Sequence, residues 1–385
     1  MSASRLGLIG QPLGHSISPF IHEQIMLASG IHGRYELFEI KPEEMDRYMP
    51  ILMRDLHGFN CTIPYKERIM SYLDRVDASA DRLKAVNTVF RGCGYNTDID
   101  GFRASKIDMK DKNVVLLGAG GVARVMAFEA ASQCARLTIW ARRVSQANSL
   151  IEEIKAKASS DRAEVAECFA VDNESNLADH KCDVLLNATP VGMWPNGSEM
   201  PVVLPELNAD MTVFDTIYNP PATRLILRAK KAGAKALGGL PMLFYQALAA
   251  QKIWHPDVDF DEERLKPIME MLPKRLLKQS PVKVVLTGFM GAGKSTVGRL
   301  LATKLGVSFW DIDEEIERVR GMRISDIFRL DGEANFRHLE TELSQELLKK
   351  KDAGVIAVGG GWITRAENRA ILEKDSIFTV YLDVP

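Results

Sequence analysis

Two glycine-rich loops, each placed between an apolar run and a helix-forming run, constrain the fold of this 385-residue chain more than any other feature. The first loop is GAGGVA at 118–123, and the second is GFMGAGKST at 288–296. A strand, a glycine-rich loop and a helix together bring backbone N–H groups to a helix N-terminus, where they can receive phosphate groups. The sequence therefore predicts two separate α/β units that bind nucleotides.

Short β-rich runs alternate with amphipathic stretches along the chain, a pattern typical of α/β folds. The predicted strands are Arg5–Gly10, Tyr35–Ile40, Phe59–Ile63, Val114–Leu117, Leu137–Trp140, Val184–Asn187 and Val213–Asp215, and the predicted helices include Glu43–Arg54 and Gln146–Ala158. The order of strand, loop and helix restarts at Asn113 and again at Lys283. Before the second restart, the Pro- and Lys-rich stretch 267–281 predicts a helix end that runs into a linker.

Composition excludes several classes of protein. The chain carries 49 Lys and Arg against 51 Asp and Glu, so its net charge of −2 gives no basic field for nucleic acid or a membrane surface. Its five cysteines are scattered and never form a C-x-x-C pair, which argues against a disulfide framework and a zinc site. The N-terminus lacks the pattern of a secretory signal, and no run of about 18 apolar residues occurs. We therefore expect a cytoplasmic protein.

The first loop matches the G-x-G-x-x-A pattern of dinucleotide sites and directly follows the apolar run NVVLL, as that pattern requires. Its cofactor-binding candidates are Gly118, Ala119, Gly120, Gly121, Val122 and Ala123. The next predicted strand runs into Arg142 and Arg143, whose guanidinium groups suit a ribose 2′-phosphate, whereas NAD sites usually place an acid in this region. NADP is therefore favoured over NAD, and a solvated pair of surface arginines is the alternative.

The second loop is a complete G-x-x-x-x-G-K-S phosphate-binding loop. Its ATP-binding candidates are Gly288, Gly291, Ala292, Gly293, Lys294, Ser295 and Thr296. Lys294 is expected to reach the β- and γ-phosphate oxygens, and the Ser295 hydroxyl is a candidate Mg²⁺ ligand. Since several classes of nucleotide-binding enzyme share this loop, the second substrate has to be inferred from other residues.

Three polar clusters precede the first loop. Ser16 and Ser18 lie in a turn-rich segment, where their hydroxyls can bind a polyol or, alternatively, cap the following helix. Thr62 and Lys66 follow a predicted strand, where a lysine is most often simply solvated. The third cluster consists of two Asn-Thr pairs, in AVNT and GYNTD, which bracket a predicted hairpin.

Together these clusters give the motifs S-x-S-P, N-x-T-x-P-x-K, V-N-T and G-x-N-T-D ahead of a nucleotide loop, an arrangement that strongly resembles shikimate dehydrogenase. The resemblance runs from about Leu6 to Trp254, and it includes NATPVGM at 187–193 and DTIYNP at 215–220. It implies NADP(H) as the cofactor, 3-dehydroshikimate and shikimate as the substrates, and a catalytic pair formed by Lys66 and Asp98.

By the same resemblance, six residues hold the hydroxyls and the carboxylate of shikimate, namely Ser16, Ser18, Thr62, Asn87, Tyr218 and Gln246, and Thr189 belongs to the cofactor site. Lys66 is the candidate acid, because hydride transfer to a ketone builds negative charge on oxygen that an ammonium can stabilise and protonate. Asp98 would orient the lysine and share a substrate hydroxyl, and which of the two moves the proton stays open.

The residues after the second loop resemble shikimate kinase, with FWDID at 309–313, GE at 332–333, FR at 336–337 and GGG at 359–361. The resemblance implies that Asp311 joins Ser295 in the Mg²⁺ shell, and that shikimate is bound by Asp313, Arg337, Gly359, Gly360 and Gly361. That family continues beyond the last strand of this chain through an arginine-bearing lid. We therefore expect a C-terminally truncated kinase domain that catalyses poorly unless a partner chain completes it.

The two resemblances imply an α/β architecture with a shikimate-binding catalytic domain (1–101 and 239–271), an NADP-binding Rossmann domain (102–238), a linker (272–281) and a partial P-loop kinase domain (282–385). The expected partners are small-molecule substrates, and any further partner would be another shikimate-pathway domain. Two alternatives stay open. One is a dehydrogenase that also acts on quinate, and the other is a non-catalytic sensor of shikimate and nucleotide.

Overall fold

The computed structural model describes residues 3–14, 16–161, 166–171, 180–201, 206–279, 282–372 and 377–383. Its internal contacts divide the chain into two compact units. The first unit comprises residues 1–193 and 199–272, and the second comprises 194–198 and 273–385.

A mixed six-stranded sheet with the order β2-β1-β3-β5-β6-β4 begins the first unit. Its strands are β1 Ser4–Gly10, β2 Gly33–Glu39, β3 Gly58–Cys61, β4 Arg75–Val76, β5 Thr88–Phe90 and β6 Cys93–Tyr95. Its helices are α1 Ser18–Ala28, α2 Met45–Asp55, α3 Ala78–Leu83 and α4 Asp98–Ala104, with 3-10 turns at Pro42–Glu44 and Arg68–Tyr72. Because β1 and β3 are parallel and β5 runs antiparallel to β3, the ends of β1 and β3 meet the start of β5 at one edge.

The second sheet of the first unit is entirely parallel and has the order β12-β11-β10-β7-β8-β9. Its strands are β7 Asn113–Leu117, β8 Arg136–Trp140, β9 Glu167–Val171, β10 Val184–Asn187, β11 Thr212–Asp215 and β12 Lys235–Leu237, and its helices are α5 Gly121–Ala131, α6 Val144–Asp161 and α7 Arg224–Lys231. This is the doubly wound order of dinucleotide-binding folds, which bind their ligand where the strand order reverses, here between β7 and β10. The predicted Rossmann fold is confirmed.

Helix α8, Leu240–Trp254, returns the chain from the second sheet to the first, where Trp254 Nε1 donates to the carbonyl of Val89 at 3.0 Å. An ion-pair network centred on the buried Glu129 also joins the two lobes, which are the parts of the first unit built on the first and the second sheet. Glu129 on α5 accepts from Arg103 on α4 at 2.7 and 3.0 Å and from Arg82 on α3 at 3.2 Å. These three residues are called the Glu129 bridge below.

Helix α9, Glu262–Gln279, covers most of the stretch that the sequence predicts as a linker at 272–281. Apolar side chains at helical spacing explain the difference, because Leu265, Ile268, Leu272 and Leu276 are all buried. The free energy gained by burying this apolar face exceeds the cost of the two prolines inside the helix. The domain boundaries themselves stay a prediction.

The second unit is built on a parallel four-stranded sheet with the order β14-β15-β13-β16. Its strands are β13 Lys283–Thr287, β14 Ser308–Asp311, β15 Gly354–Ala357 and β16 Ile377–Tyr381. Its helices are α10 Lys294–Leu305, α11 Ile312–Arg320, α12 Ile324–Lys349 and α13 Ala366–Leu372, and α12 is kinked at Gly332, whose φ is +79°. Since the four strands are parallel, the segments that follow β13, β14 and β15 meet at the same edge of the sheet.

Three findings bear on the expectations from composition. All five cysteines are free thiols. Among the described residues, no group of three or more His, Cys, Asp and Glu side chains is arranged to hold a metal ion. None of the helices in those parts of the chain combines the length and the apolar character needed to cross a membrane.

Candidate active sites

Lys66 and Asp98 form a largely buried ion pair at the edge of the first sheet. Lys66 follows β3, and Asp98 is the first residue of α4. Lys66 Nζ donates to Asp98 Oδ2 at 2.5 Å, and only 18% and 12% of the two side chains are exposed. Asn87 Nδ2 donates to the other carboxylate oxygen at 2.9 Å. The structure thus brings three predicted site residues together. The Lys66 ammonium is in position to donate a proton, and the Asp98 carboxylate keeps the ammonium in place.

The two serines lie on the loop between β1 and α1, next to the loop that carries Thr62. Ser16 Oγ accepts from the backbone N–H of Ser18 at 3.2 Å, while the N-cap of α1 is Ile17 and makes no side-chain capping bond. A Cβ added to Gly10 would collide with the methyl group of Thr62, so the loops after β1 and β3 are in contact. Ser16 Oγ thus satisfies the first backbone N–H of α1, as the capping alternative predicts for this serine. Both loops follow the carboxyl ends of β1 and β3, and Lys66 lies on the second of them.

Gln246 lies on α8, after the last strand of the second sheet, and Tyr218 lies between the strands β11 and β12 of that sheet. A Cβ on Gly101, one helical turn after Asp98, would lie 3.1 Å from Gln246 Cβ, so α4 and α8 pack closely at this point. Gln246 Nε2 donates to the carbonyl of Leu243 at 2.9 Å. Tyr218 lies on the segment after β11, and burial raises the pKa of its hydroxyl above the ordinary value of 10.0. That hydroxyl stays protonated and can donate a hydrogen bond at neutral pH.

The glycine-rich loop after β7 leaves room at the N-terminus of α5. A Cβ added at Gly120 or Gly121 would meet no atom within 4 Å. Gly118 has a φ of +105°, and a Cβ added to it would lie 3.2 to 3.4 Å from atoms of Ala188 and Thr189. The loop therefore has the open approach and the exposed N–H groups that a pyrophosphate needs, with Thr189 alongside. This arrangement fits a dinucleotide.

Arg142 and Arg143 are exposed on the segment between β8 and α6. The backbone carbonyl of Trp140, at the end of β8, accepts from the N–H of Gly118 at 2.7 Å, which ties this segment to the glycine-rich loop. Within the described residues, neither arginine has an acidic partner in an ion pair. Two cations that have no acidic partner in the described parts of the chain, beside a dinucleotide loop, suit a third phosphate group.

Asp215 at the end of β11 is fully buried, and the groups that donate to it are uncharged. Its carboxylate accepts from Asn187 Nδ2 at 2.9 Å, from the backbone N–H of Ile217 at 3.0 Å and from Thr223 Oγ1 at 2.6 Å. Burial raises the pKa of Asp215 to about 6, although all three hydrogen bonds favour the charged form. The amide of Asn187 in turn accepts from the backbone and the hydroxyl of Thr189. One carboxylate thus connects the cofactor loop with the segment that leads to Tyr218.

In the second unit, a cavity of about 620 Å³ lies at the carboxyl edge of the sheet. Its lining includes most of the residues that the sequence assigns to ATP and to the second substrate, namely Gly291, Gly293, Lys294, Ser295, Thr296, Asp311, Asp313, Arg337, Gly359, Gly360 and Gly361. Gly288, Gly291 and Gly293 all have positive φ values, which only glycine adopts at low cost. Lys294 Nζ donates to the carbonyls of Gly288 and Phe289 at 2.9 and 2.8 Å.

Hard oxygen ligands face this cavity beside the phosphate-binding loop. Ser295 Oγ donates to Asp311 Oδ2 at 2.5 Å, and Asp311 Oδ1 caps α11 by accepting from the backbone N–H of Asp313 at 3.1 Å. Burial and the neighbouring Asp311 raise the pKa of Asp313, whose Oδ1 is buried and has no hydrogen-bond partner among the described residues. Hydroxyl and carboxylate oxygens are the ligands that Mg²⁺ prefers, so Ser295 and Asp311 fit a magnesium ion bound together with nucleotide phosphates.

Glu340 belongs to this cavity, although no sequence motif had indicated it. Its side chain is buried, and it accepts from Arg337 Nη1 at 2.7 Å. A Cβ at Gly361 would lie 2.6 Å from the Arg337 guanidinium, so the glycine leaves the space that this side chain occupies. The spacing of three residues between Arg337 and Glu340 on a predicted helix was the available signal, because side chains at i and i+3 face each other.

Comparisons with known proteins agree with this division of the chain. The family model described as "Shikimate dehydrogenase substrate binding domain" matches residues 8–89, and the model described as "Shikimate kinase" matches residues 290–385. A shikimate dehydrogenase (NADP(+)) from Methanocaldococcus jannaschii is 40% identical over 260 residues, which are 65% of this chain and 90% of that protein.

Solved structures of shikimate dehydrogenases superpose on the first unit. One in complex with NADP+ has a TM-score of 0.62 at 37% identity and covers 70% of this chain and 95% of its own. The enzyme from Thermus thermophilus, solved with NADP(H) and shikimate, has a TM-score of 0.59 at 30% identity and covers 70% of this chain and 99% of its own.

The raised pKa of Asp215 predicts a pH-dependent stability. Because its pKa is 3.8 in the unfolded reference and about 6 in the fold, the folded chain binds more protons between these values. The free energy of unfolding should therefore fall as the pH rises from about 4 to about 6, with a contribution from Asp215 of up to about 1.4 kcal/mol per pH unit. Urea unfolding at several pH values should show this slope reduced in Asp215→Asn. Asp210→Asn, which removes an exposed carboxylate, is the control, and equal slopes in wild type and Asp215→Asn would contradict the prediction.

Proposed function

The chain belongs to the shikimate dehydrogenase family, and from this premise we propose that its first unit catalyses the NADPH-dependent, reversible reduction of 3-dehydroshikimate to shikimate. The observation that carries the proposal is the Lys66–Asp98 pair, held with Asn87 at the edge of the first sheet. An ammonium fixed by a carboxylate in a largely buried position has the chemistry that carbonyl reduction requires.

NADPH supplies a hydride to the substrate carbonyl carbon when it is bound. Lys66 then donates a proton from its ammonium to the oxygen that gains the electron pair, so that the ketone becomes an alcohol. Asp98 holds the lysine through its Oδ2 and accepts a hydrogen bond from an adjacent substrate hydroxyl. In the reverse direction the same lysine, now neutral, takes the proton back. Ser16, Ser18, Thr62, Asn87, Tyr218 and Gln246 are proposed to bind the remaining hydroxyls and the carboxylate of shikimate.

The second unit is proposed to bind ATP with Mg²⁺ and to phosphorylate the 3-hydroxyl of shikimate, so that it consumes the product of the first unit. Support comes from the cavity that contains Lys294, Ser295 and Asp311 together with Arg337. Lys294 would stabilise phosphate oxygens, and Arg337 would pair with the carboxylate of shikimate.

One incubation tests both activities. The purified chain is mixed with 3-dehydroshikimate, NADPH and Mg·ATP, and the products are identified by mass spectrometry. Shikimate alone supports the dehydrogenase and contradicts the kinase proposal, whereas shikimate 3-phosphate supports both. Absence of any turnover would contradict both and favour the hypothesis that the chain is a sensor. Quinate offered with NADP+ tests the broader dehydrogenase specificity.

Removing the Lys66 ammonium should abolish most of the dehydrogenase activity. We expect Lys66→Ala to lower kcat by roughly 10²–10⁴-fold, the usual contribution of a general acid, and to lower the melting temperature as well, because the largely buried Asp98 carboxylate loses its cation. Lys84→Ala is a matched control, because Lys84 Nζ also lies 2.5 Å from a carboxylate, that of Asp81, but on the exposed surface. Near-normal turnover by Lys66→Ala would refute the assignment.

The charge of Arg142 should determine the preference for NADPH over NADH. We expect Arg142→Ala to raise KM for NADPH roughly tenfold or more, since one charged hydrogen bond contributes about 1.5–3 kcal/mol, and to leave KM for NADH nearly unchanged. Steady-state kinetics with both cofactors provide the measurement. Arg228→Ala, on the exposed face of α7, is the control, and an unchanged cofactor preference in Arg142→Ala would make Arg142 an ordinary surface charge.

A further inference from the structure

A chain of buried polar side chains crosses the first sheet and ends on Asp98. The Tyr35 hydroxyl lies 2.7 Å from Asn60 Oδ1, and Asn60 Nδ2 lies 2.9 Å from Thr88 Oγ1. Thr88 Oγ1 lies 2.9 Å from Asn87 Oδ1, and Asn87 Nδ2 lies 2.9 Å from Asp98 Oδ1. Each of these five residues is at most 8% exposed. The contacts therefore form one continuous path inside the lobe, away from solvent.

The strand register creates this path. Asn60 on β3 is directly opposite Thr88 on β5. On its other side β3 pairs with β1, and β1 pairs in turn with β2, the strand that contains Tyr35. Two strands thus contribute facing polar side chains at a position where an antiparallel pair brings side chains closest. Valine and phenylalanine would fill the places of Thr88 and Tyr35 without any need for partners, so shape alone does not account for the polar groups.

Backbone groups fix which way each amide points. Asn60 Nδ2 lies 3.1 Å from the carbonyl oxygen of Asn87, which can only accept, so Asn60 Oδ1 faces Tyr35 and the tyrosine hydroxyl donates. Asn87 Oδ1 lies 2.8 Å from the backbone N–H of Thr97, which can only donate. The amide nitrogen of Asn87 therefore faces the carboxylate of Asp98.

Thr88 sets the direction of the hydrogen bonds between Asn60 and Asn87. Its hydroxyl accepts from Asn60 Nδ2, so its own hydrogen is available to Asn87 Oδ1, which lies at the same distance of 2.9 Å. All donors from Tyr35 to Asn87 consequently point toward Asp98. Hydrogen bonds aligned in one direction polarise one another and strengthen the bond at the end of the chain.

We propose that Tyr35, Asn60 and Thr88 are positioning residues of the dehydrogenase, which act through Asn87 to hold the carboxylate of Asp98 against Lys66. The inference rests on the function proposed above for this site. It assigns a role in the reaction to three residues outside the proposed substrate-binding set, and Asn87 is the side chain that joins them to the Asp98 carboxylate.

Thr88 offers the sharpest test, because valine has nearly the same shape and lacks only the hydroxyl. Thr88→Val should lower kcat roughly tenfold, as expected when a buried hydrogen-bonded pair is broken, while KM for NADPH stays within about twofold of wild type. Thr88→Ser keeps the hydroxyl and should restore most of the lost kcat. Thr138→Val is the control, because it makes the same exchange at a buried threonine of the second sheet. A purely structural role would lower the melting temperature of Thr88→Val and leave its kcat close to that of Thr138→Val.

A double-mutant cycle shows whether the hydrogen-bonded side chains from Tyr35 to Asn87 act through Asp98. In an Asp98→Asn background, Thr88→Val should produce no further loss of kcat, because the group that it positions is already removed. Independent, multiplicative losses would overturn the inference, as would an unchanged kcat in Thr88→Val alone. Both results leave the proposed function intact provided that the wild-type chain reduces 3-dehydroshikimate. A wild-type chain without that activity would overturn the proposed function and this inference together.

Discussion

The buried Lys66–Asp98 ion pair sets the conditions that the surrounding lobe has to meet. Two charges removed from water lose several kcal/mol of hydration each, and only close geometry and further hydrogen bonds compensate for that loss. The lobe meets these conditions with a 2.5 Å contact between the two groups and with the Asn87 amide on the second carboxylate oxygen. Because Asn87 directly precedes β5 and Asp98 begins α4, the hairpin of β5 and β6 and the first turn of α4 must keep their relative positions for the pair to exist.

The two nucleotide sites use the same sequence of strand, glycine-rich loop and helix for different tasks. At the first site the loop leaves open room around Gly120, and the cations lie apart from it on the segment after β8. At the second site the loop carries its own cation, Lys294, which contacts two carbonyls of that loop. The first arrangement suits a pyrophosphate that has only to be held, and the second suits a phosphate whose bond is to be broken.

Local features were predictable from the sequence, whereas contacts that depend on strand register were not. The G-x-G-x-x-A pattern predicted the helix that begins at Gly121, because glycines before a helix-forming run act within a few residues. The polar path from Tyr35 to Asp98 joins residues that are 25 and 28 positions apart, and no pattern in a single sequence indicates which strands will be neighbours. Helix α9 shows the converse error, since two prolines suggested a linker where a buried apolar face maintains the helix.

The Glu129 bridge has a consequence for the geometry of the first unit. Arg103 and Asp98 are five residues apart on α4, a rise of about 7.5 Å, and Arg103 is bound to the cofactor helix α5 through Glu129. The bridge therefore ties the helix that begins with Asp98 to the helix that follows the glycine-rich loop. The position of the Asp98 carboxylate relative to that loop thus depends on an ion pair in addition to the polypeptide connection between the two helices.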